Sequence, residues 1–171
     1  KSLDTRGVIN TTQNEGSAVF DAKRKNIYFT RCPNAEKMNL GCEIWTATIS
    51  GEDFDDPKKI TLTVSDTISV GHPCLSPDDQ MLIFASDMKQ SPNGEKSFGG
   101  RDLWYVTFDK RNKVWDSVPH NMGAMFNTAG NELFPSMGPN GKLYFASDGL
   151  PGIGGLDIFV ADKVGEENKL R

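Results

Sequence analysis

The sequence has few of the residues that build catalytic and metal centres. It contains two histidines and three cysteines, and it has no Cys-x-x-Cys pair of the kind typical of zinc sites. The motif Gly-x-Ser-x-Gly, which presents the nucleophile of many hydrolases, is absent as well. His72 and His120 stand apart from any partner at a metal or triad spacing. We therefore predict no catalytic residue, no metal site and no cofactor, and we expect that the chain is not an enzyme.

Two further absences concern partners. The formal net charge is -4 and the isoelectric point is about 5.2. Because a nucleic-acid partner normally requires a basic face, we expect that nucleic acid is not a partner. No run of about 18 apolar residues occurs, which predicts no direct membrane insertion of this segment. The polar start Lys1-Ser2-Leu3-Asp4 does not resemble a signal peptide. We expect that it lies inside a larger or processed chain.

A threefold repeat is the main positive feature of the sequence. A polar turn that leads into a short apolar strand occurs at residues 21–29, 76–84 and 138–145. Each copy is followed by a glycine, an acidic, an apolar and an aromatic residue, at 41–45, 100–104 and 155–159. These anchors recur about every 55 to 61 residues, and a pattern at residues 9–15 reappears at 126–132. Such a period, with several short strands per unit, predicts a radial β array.

The strand pattern is all-β. Aromatic and β-branched residues concentrate in short runs, Gly, Pro, Asn and Asp lie between them, and no amphipathic helix is evident. The predicted strands are 15–20, 26–31, 43–49, 58–63, 71–75, 81–86, 102–108, 113–119, 132–137, 142–147 and 157–162.

This organisation predicts a β-propeller with four-stranded blades, of which about three are present. Residues 1–13 would be the tail of a preceding blade, 14–70 and 71–130 two blades, and 131–171 an incomplete blade. Three blades cannot close a ring, and propellers usually have about four to eight. We expect part of a six-bladed ring, completed by missing blades from the same chain or by a second copy.

Repeated positions favour structural roles. Phe29, Phe84 and Phe145 would occupy one equivalent core site, and Trp45, Trp104 and Phe159 another. The acidic residues of the repeat are predicted to bond to a turn backbone in each blade, because a catalytic residue is usually needed only once. These residues are Glu43, Asp102 and Asp157.

The cysteines differ in their expected roles. Cys32 follows one predicted strand and Cys42 begins the next, so a hairpin would bring them together. A disulfide between them would indicate an oxidising compartment such as the periplasm, and the alternative is two reduced thiols beside a loop. Cys74 lies in an apolar strand and is expected to be a small buried residue.

Two segments resemble a known family. Residues 76–86, Ser-Pro-Asp-Asp-Gln-Met-Leu-Ile-Phe-Ala-Ser, resemble the core of the WD40-like (PD40) repeat of TolB-type propellers. Residues 141–149 and 152–160 resemble the variant in Bacteroidetes cell-envelope proteins, where the propeller often precedes an OmpA-like peptidoglycan-binding domain. The resemblance implies a periplasmic protein that is associated with the outer membrane through other parts of the full chain. Residues 21–25 depart from the family's Ser-Pro-Asp-Gly turn.

The resemblance suggests a scaffold whose partners are other envelope or secretion-system proteins, as in the type IX secretion machinery. The long loop of the middle unit is the candidate surface, since loops carry recognition while the blades hold them. Its candidate contact residues are Met88, Lys89, Gln90, Asn93, Glu95, Lys96 and Phe98. The alternatives are an accessory propeller of a peptidase and a glycan- or peptide-binding receptor.

Overall fold

The computed structural model describes residue 4, residues 6–34 and residues 40–162. Within these ranges the chain is all-β and contains no helical residue. It therefore has no helix that could cross a membrane in the part described. The strands are β1 (Asn14–Phe20), β2 (Asn26–Cys32), β3 (Glu43–Ser50), β4 (Asp53–Lys59), β5 (Val70–Leu75), β6 (Met81–Ser86), β7 (Asp102–Asp109), β8 (Val114–Trp115), β9 (His120–Asn121), β10 (Glu132–Met137), β11 (Leu143–Ser147) and β12 (Asp157–Ala161).

The strands form three antiparallel sheets that follow one another along the chain. The first sheet has the order β1-β2-β3-β4, and the third has the order β10-β11-β12. The second has the order β5-β6-β7-β8, with β9 paired to β7. The leading strands contact each other in series, because β1 contacts β5 and β5 contacts β10. The all-β prediction is confirmed, and the number of blades in a complete ring stays a prediction.

Two predicted strands are wrong in position. The fourth strand of the first sheet was expected at 58–63 but is β4, because Gly51 turns the chain back directly after β3 with a φ of 64°. Its sequence is mostly polar, which hides it from a search for apolar runs. The predicted strand 113–119 contains the two-residue β8, and β9 lies just beyond its end; both of these short strands pair with β7.

One aromatic pair recurs in every sheet. Cross-strand register places Phe29 opposite Trp45, Phe84 opposite Trp104, and Phe145 opposite Phe159. The three phenylalanines are 1%, 0% and 1% exposed, so the equivalent position is a core position each time. Such directly opposed side chains are the units that stabilise a sheet.

The sheets pack face to face through these aromatic residues and the apolar residues near them in the same strands. Ile44 of the first sheet belongs to one buried cluster with Leu82 and Trp104 of the second. Ile83 and Leu103, on the other face of the second sheet, belong to a cluster with Phe145 of the third. The first and second sheets are therefore layers, and each has an apolar face that is covered by the next sheet along the chain.

The first strand of each sheet carries a bulge at the same position. The register shifts after Gly16, Gly71 and Leu133. The next residue in each strand has a positive φ, and these residues are Ser17 (41°), His72 (54°) and Phe134 (53°). A bulge leaves a backbone N–H outside the ladder. The N–H of His72 donates to Thr30 Oγ1 at 2.9 Å, and that of Phe134 donates to His72 Nδ1 at 3.3 Å.

Candidate functional site

The predicted recognition loop is a small hairpin with its own hydrogen bonds. Residues 87–101 separate β6 from β7, a longer segment than residues 33–42 or 148–156 in the neighbouring sheets. Gln90 and Lys96 form an isolated bridge, and the N–H of Ser97 donates to the Lys89 carbonyl at 3.0 Å. Gly94 makes the turn with a φ of 92°. We call residues 87–101 the hairpin loop.

Six of the seven predicted contact residues lie at the surface of the hairpin loop. Glu95 is half-buried and Phe98 is 47% exposed. The others in this group are exposed, namely Lys89, Gln90, Asn93 and Lys96. Met88 is a correction, because it is only 2% exposed and belongs to the buried cluster between the first and second sheets. Its apolar side chain packs beneath the loop and cannot meet a partner.

Glu95 fixes the hairpin loop to the body of the second sheet. Its carboxylate contacts His120 Nδ1 at 2.8 Å and accepts from the N–H of Asn121 at 2.6 Å. Asn93 Nδ2 donates to the same carboxylate at 2.8 Å. Burial acts to raise the pKa of Glu95, but the bonds from His120, Asn121 and Asn93 outweigh it and lower the pKa. Sequence reasoning missed the link with His120, which lies on another strand.

Cys32 and Cys42 form a disulfide at the end of β2, with their Cα atoms 4.1 Å apart. The hairpin between β2 and β3 thus closes covalently, which is the first of the two alternatives that the sequence allowed. Cys74 is free and 3% exposed. Burial raises the pKa of its thiol to about 11, with a small opposing effect from a backbone hydrogen bond at Met137.

The repeated acidic residue binds a turn backbone in the second and third sheets, but it binds side chains in the first sheet. Asp102 accepts from the N–H groups of Phe98 and Gly99. Asp157 accepts likewise from the turn backbone at residues 153 and 154. Glu43 differs from this expectation, because its longer side chain instead bonds Trp45 Nε1 and pairs with a lysine.

The match between residues 9–15 and 126–132 reflects one hydrogen-bonded turn used twice. Thr128 donates to the Glu132 carboxylate through its N–H at 3.0 Å and its hydroxyl at 2.7 Å. Thr11 makes the same pair of bonds to Glu15. Glu132 is 0% exposed and also accepts from Ser147 Oγ. These repeated residues therefore hold the turn that leads into the first strand of a sheet.

His72 lies where the first strands of the second and third sheets meet. Its ring stacks on that of Phe134 with centroids 4.1 Å apart and an interplanar angle of 20°. Burial lowers its pKa, and the positive charge of Arg101 lowers it further. Among the described residues, no group of three or more His, Cys, Asp or Glu side chains could hold a metal ion.

No protein-family model matches the chain, and no curated protein matches it. A puromycin-hydrolyzing peptidase of Mycobacterium tuberculosis matches 92% of this chain with 12% identity and a TM-score of 0.45. A puromycin hydrolase in complex with PGG matches 91% with 9% identity and a TM-score of 0.44.

The chain spans 29% of the length of each of these two structures. Both are named as hydrolysing enzymes, which contradicts the expectation that the chain is not an enzyme. That expectation is withdrawn. At these similarities, the matches assign no activity or substrate to this chain.

Proposed function

We propose that this chain is part of a β-propeller that serves as a protein-interaction scaffold in the bacterial cell envelope. Two surfaces support the proposal: the uncovered face of the third sheet and the hairpin loop of the second. The disulfide between Cys32 and Cys42 favours an oxidising compartment such as the periplasm. The resemblance to envelope propellers makes a secretion machinery such as type IX the candidate setting.

The exposure of Ile158 is the observation that carries the proposal. In the aligned repeat, Ile158 corresponds to Leu103 of the second sheet, which is 0% exposed beneath the third sheet. Ile158 itself is 81% exposed. Its neighbour Tyr144 is 40% exposed, whereas the equivalent Ile83 is 0% exposed. An apolar face that the other two sheets bury is a surface for another polypeptide.

A further blade of the same kind fits this face. The first and second sheets are both covered by a sheet that presents a buried phenylalanine and a second aromatic residue in register, such as Phe84 with Trp104. A further sheet with such an aromatic pair, packed on the third sheet, would bury Ile158 and Tyr144. We therefore propose that a ring is completed on this side, by more of the chain or by a second copy.

The hairpin loop supports the recognition of a partner by its rigidity. Glu95 and the bridge between Gln90 and Lys96 hold the loop, so binding would order few additional groups. Phe98 offers a partly exposed aromatic ring beside charged side chains, a combination that is common where interfaces have their anchors.

Light scattering on the 171-residue chain tests the uncovered face. We expect a concentration-dependent mass above 18.8 kDa, together with binding of a dye that reports exposed apolar surface. Ile158→Asp should reduce both signals. Val64→Asp is the matched control, because Val64 is 90% exposed outside this face. A monodisperse 18.8 kDa monomer that binds no dye would contradict the proposal.

Site-specific photo-crosslinking tests the hairpin loop in the natural host. A photoreactive residue at Asn93 should form a crosslink to one protein that mass spectrometry identifies. The same residue at the exposed Val64 serves as the control position and should not capture that protein. Equal capture at both positions, or none at Asn93, would argue against recognition by the loop.

A further inference from the structure

A small cavity lies between the first and second sheets, next to the disulfide. Its volume is about 70 Å³, which suits a chemical group of a few heavy atoms. Five segments of the two sheets contribute to its walls, so it exists only when the two sheets are packed together. It is lined by Thr30, Cys32, Cys42, Ser69, Val70, Gly71, His72, Ala85 and Arg101.

Arg101 gives this cavity its charge. Among the residues that the structure describes, it is the one charged side chain in the lining, and no carboxylate of this group lines the cavity. Arg101 is exposed, and across the described part of the chain its guanidinium makes no salt bridge and no hydrogen bond, whereas its backbone is held by two hydrogen bonds. The backbone N–H of Arg101 donates to Asn131 Oδ1 at 3.2 Å, and the backbone carbonyl of Arg101 accepts from the N–H of Glu132 at 2.6 Å.

His72 adds a neutral hydrogen-bond donor. Because Nδ1 accepts from the N–H of Phe134, the neutral imidazole carries its proton on Nε2. Within the described residues, no side chain or carbonyl bonds to that Nε2. Stacking on Phe134 fixes the ring plane. Arg101 and His72 thus both line the cavity, and within the described residues neither the guanidinium nor Nε2 has a hydrogen-bond partner.

We propose that this cavity binds a carboxylate group, held by the guanidinium of Arg101 and by Nε2–H of His72. A carboxylate is planar, carries one negative charge and matches the guanidinium fork with two parallel bonds. One arginine and one neutral histidine supply a single positive charge, which suits a monoanion better than a phosphate dianion. The carboxylate belongs to a small organic acid or to the C-terminus of a peptide.

Titrations monitored by NMR at constant ionic strength test this site. The probes are sodium acetate, N-acetyl-alanine, N-acetyl-alaninamide and inorganic phosphate. We expect saturable shifts at residues 69–72 and 101 with the first two probes and none with the amide. Tighter binding of N-acetyl-alanine than of acetate would identify a peptide terminus, and the reverse order a small acid. Phosphate that binds more tightly than both carboxylates would overturn the assignment.

Two arginine variants separate this cavity from general anion attraction. Arg101→Gln should weaken carboxylate binding by about tenfold or more, because hydrogen bonds to charged groups are the stronger ones. Arg111→Gln removes an exposed arginine elsewhere in the second sheet and should leave the affinity unchanged. Equal losses in both variants, or no saturable binding in the unaltered protein, would overturn the proposal. The thermal midpoint of each variant shows whether its fold is intact.

His72→Phe is a second test that keeps the arginine. It removes the Nε2–H donor, and we expect carboxylate affinity to fall severalfold while Arg101 still contributes. If the affinity of a folded His72→Phe protein is unchanged, the histidine is not part of the site. This inference does not depend on partner recognition by the hairpin loop or on the completion of a ring.

Discussion

His72 and Phe134 occupy the same bulge position in consecutive sheets, and they contact each other through their rings and through one hydrogen bond. The two rings stack with centroids 4.1 Å apart, and the N–H of Phe134 donates to His72 Nδ1. Thr30 Oγ1 accepts from the N–H of His72 in the same manner. A series of side-chain bonds therefore connects the second strand of the first sheet with the first strands of the second and third sheets.

Protonation of His72 should destabilise this connection. A protonated imidazole cannot accept from Phe134, and burial and Arg101 already lower its pKa from 6.5. A lowered histidine pKa means that the unfolded chain binds a proton more readily than the folded chain. The free energy of unfolding should therefore fall as the pH drops below about 6.5, and it should level off below the folded pKa.

Thermal midpoints at pH 7.5 and pH 5.5 measure this effect. His72→Asn removes the titrating group and tolerates the positive φ of 54°, so its midpoint should fall less than that of the unaltered protein. Identical pH dependence in both proteins would show that another group is responsible.

Glu132→Ala should cost about 3 kcal/mol of stability. The carboxylate is 0% exposed and accepts from the N–H and hydroxyl of Thr128 and from the hydroxyl of Ser147. Its removal leaves these buried donors without an acceptor. Denaturant unfolding measures the loss. Asp66→Asn, at a carboxylate with 79% side-chain exposure, is the control and should change stability by under about 0.5 kcal/mol. Similar losses in both variants would refute the structural role of Glu132.

Much of the fold could be predicted because the repeat determines local structure. Turn residues and apolar runs predict strands such as β2, β6 and β11 within a residue or two. The bulges could not be predicted, because Ser17, His72 and Phe134 lack the glycine or asparagine that usually indicates a positive φ. At His72 and Phe134 the preceding sheet accepts from the N–H that the bulge exposes, through Thr30 Oγ1 and His72 Nδ1 respectively.

The candidate sites were less predictable, because they depend on contacts between distant residues. The loop length and composition indicated a surface, but only packing shows that Met88 is buried and that Glu95 is tied to His120. The cavity beside Arg101 has no sequence motif. It depends on how the first sheet meets the second.

Removal of the disulfide should destabilise the protein by about 3 kcal/mol. Cys32 and Cys42 are 10 residues apart, and the chain-entropy estimate for a loop of this length gives this magnitude. The double variant Cys32→Ser and Cys42→Ser should lower the thermal midpoint by about 5–10 °C. Treatment of the unaltered protein with a reductant should produce a similar shift, and the same treatment of the double variant should produce none. A reductant effect that persists in the double variant would assign the shift to another cause.

Cys74 should resist alkylation in the folded protein at pH 8. The thiol is 3% exposed, and with a pKa of about 11 only about one molecule in a thousand carries the reactive thiolate at that pH. Iodoacetamide followed by intact-mass analysis should therefore detect almost no adduct under native conditions. In urea without a reductant one adduct should form, because Cys32 and Cys42 remain bonded, and with a reductant all three cysteines should react. Rapid native labelling at Cys74 would mean that the layer between the second and third sheets opens far more often than its packing implies.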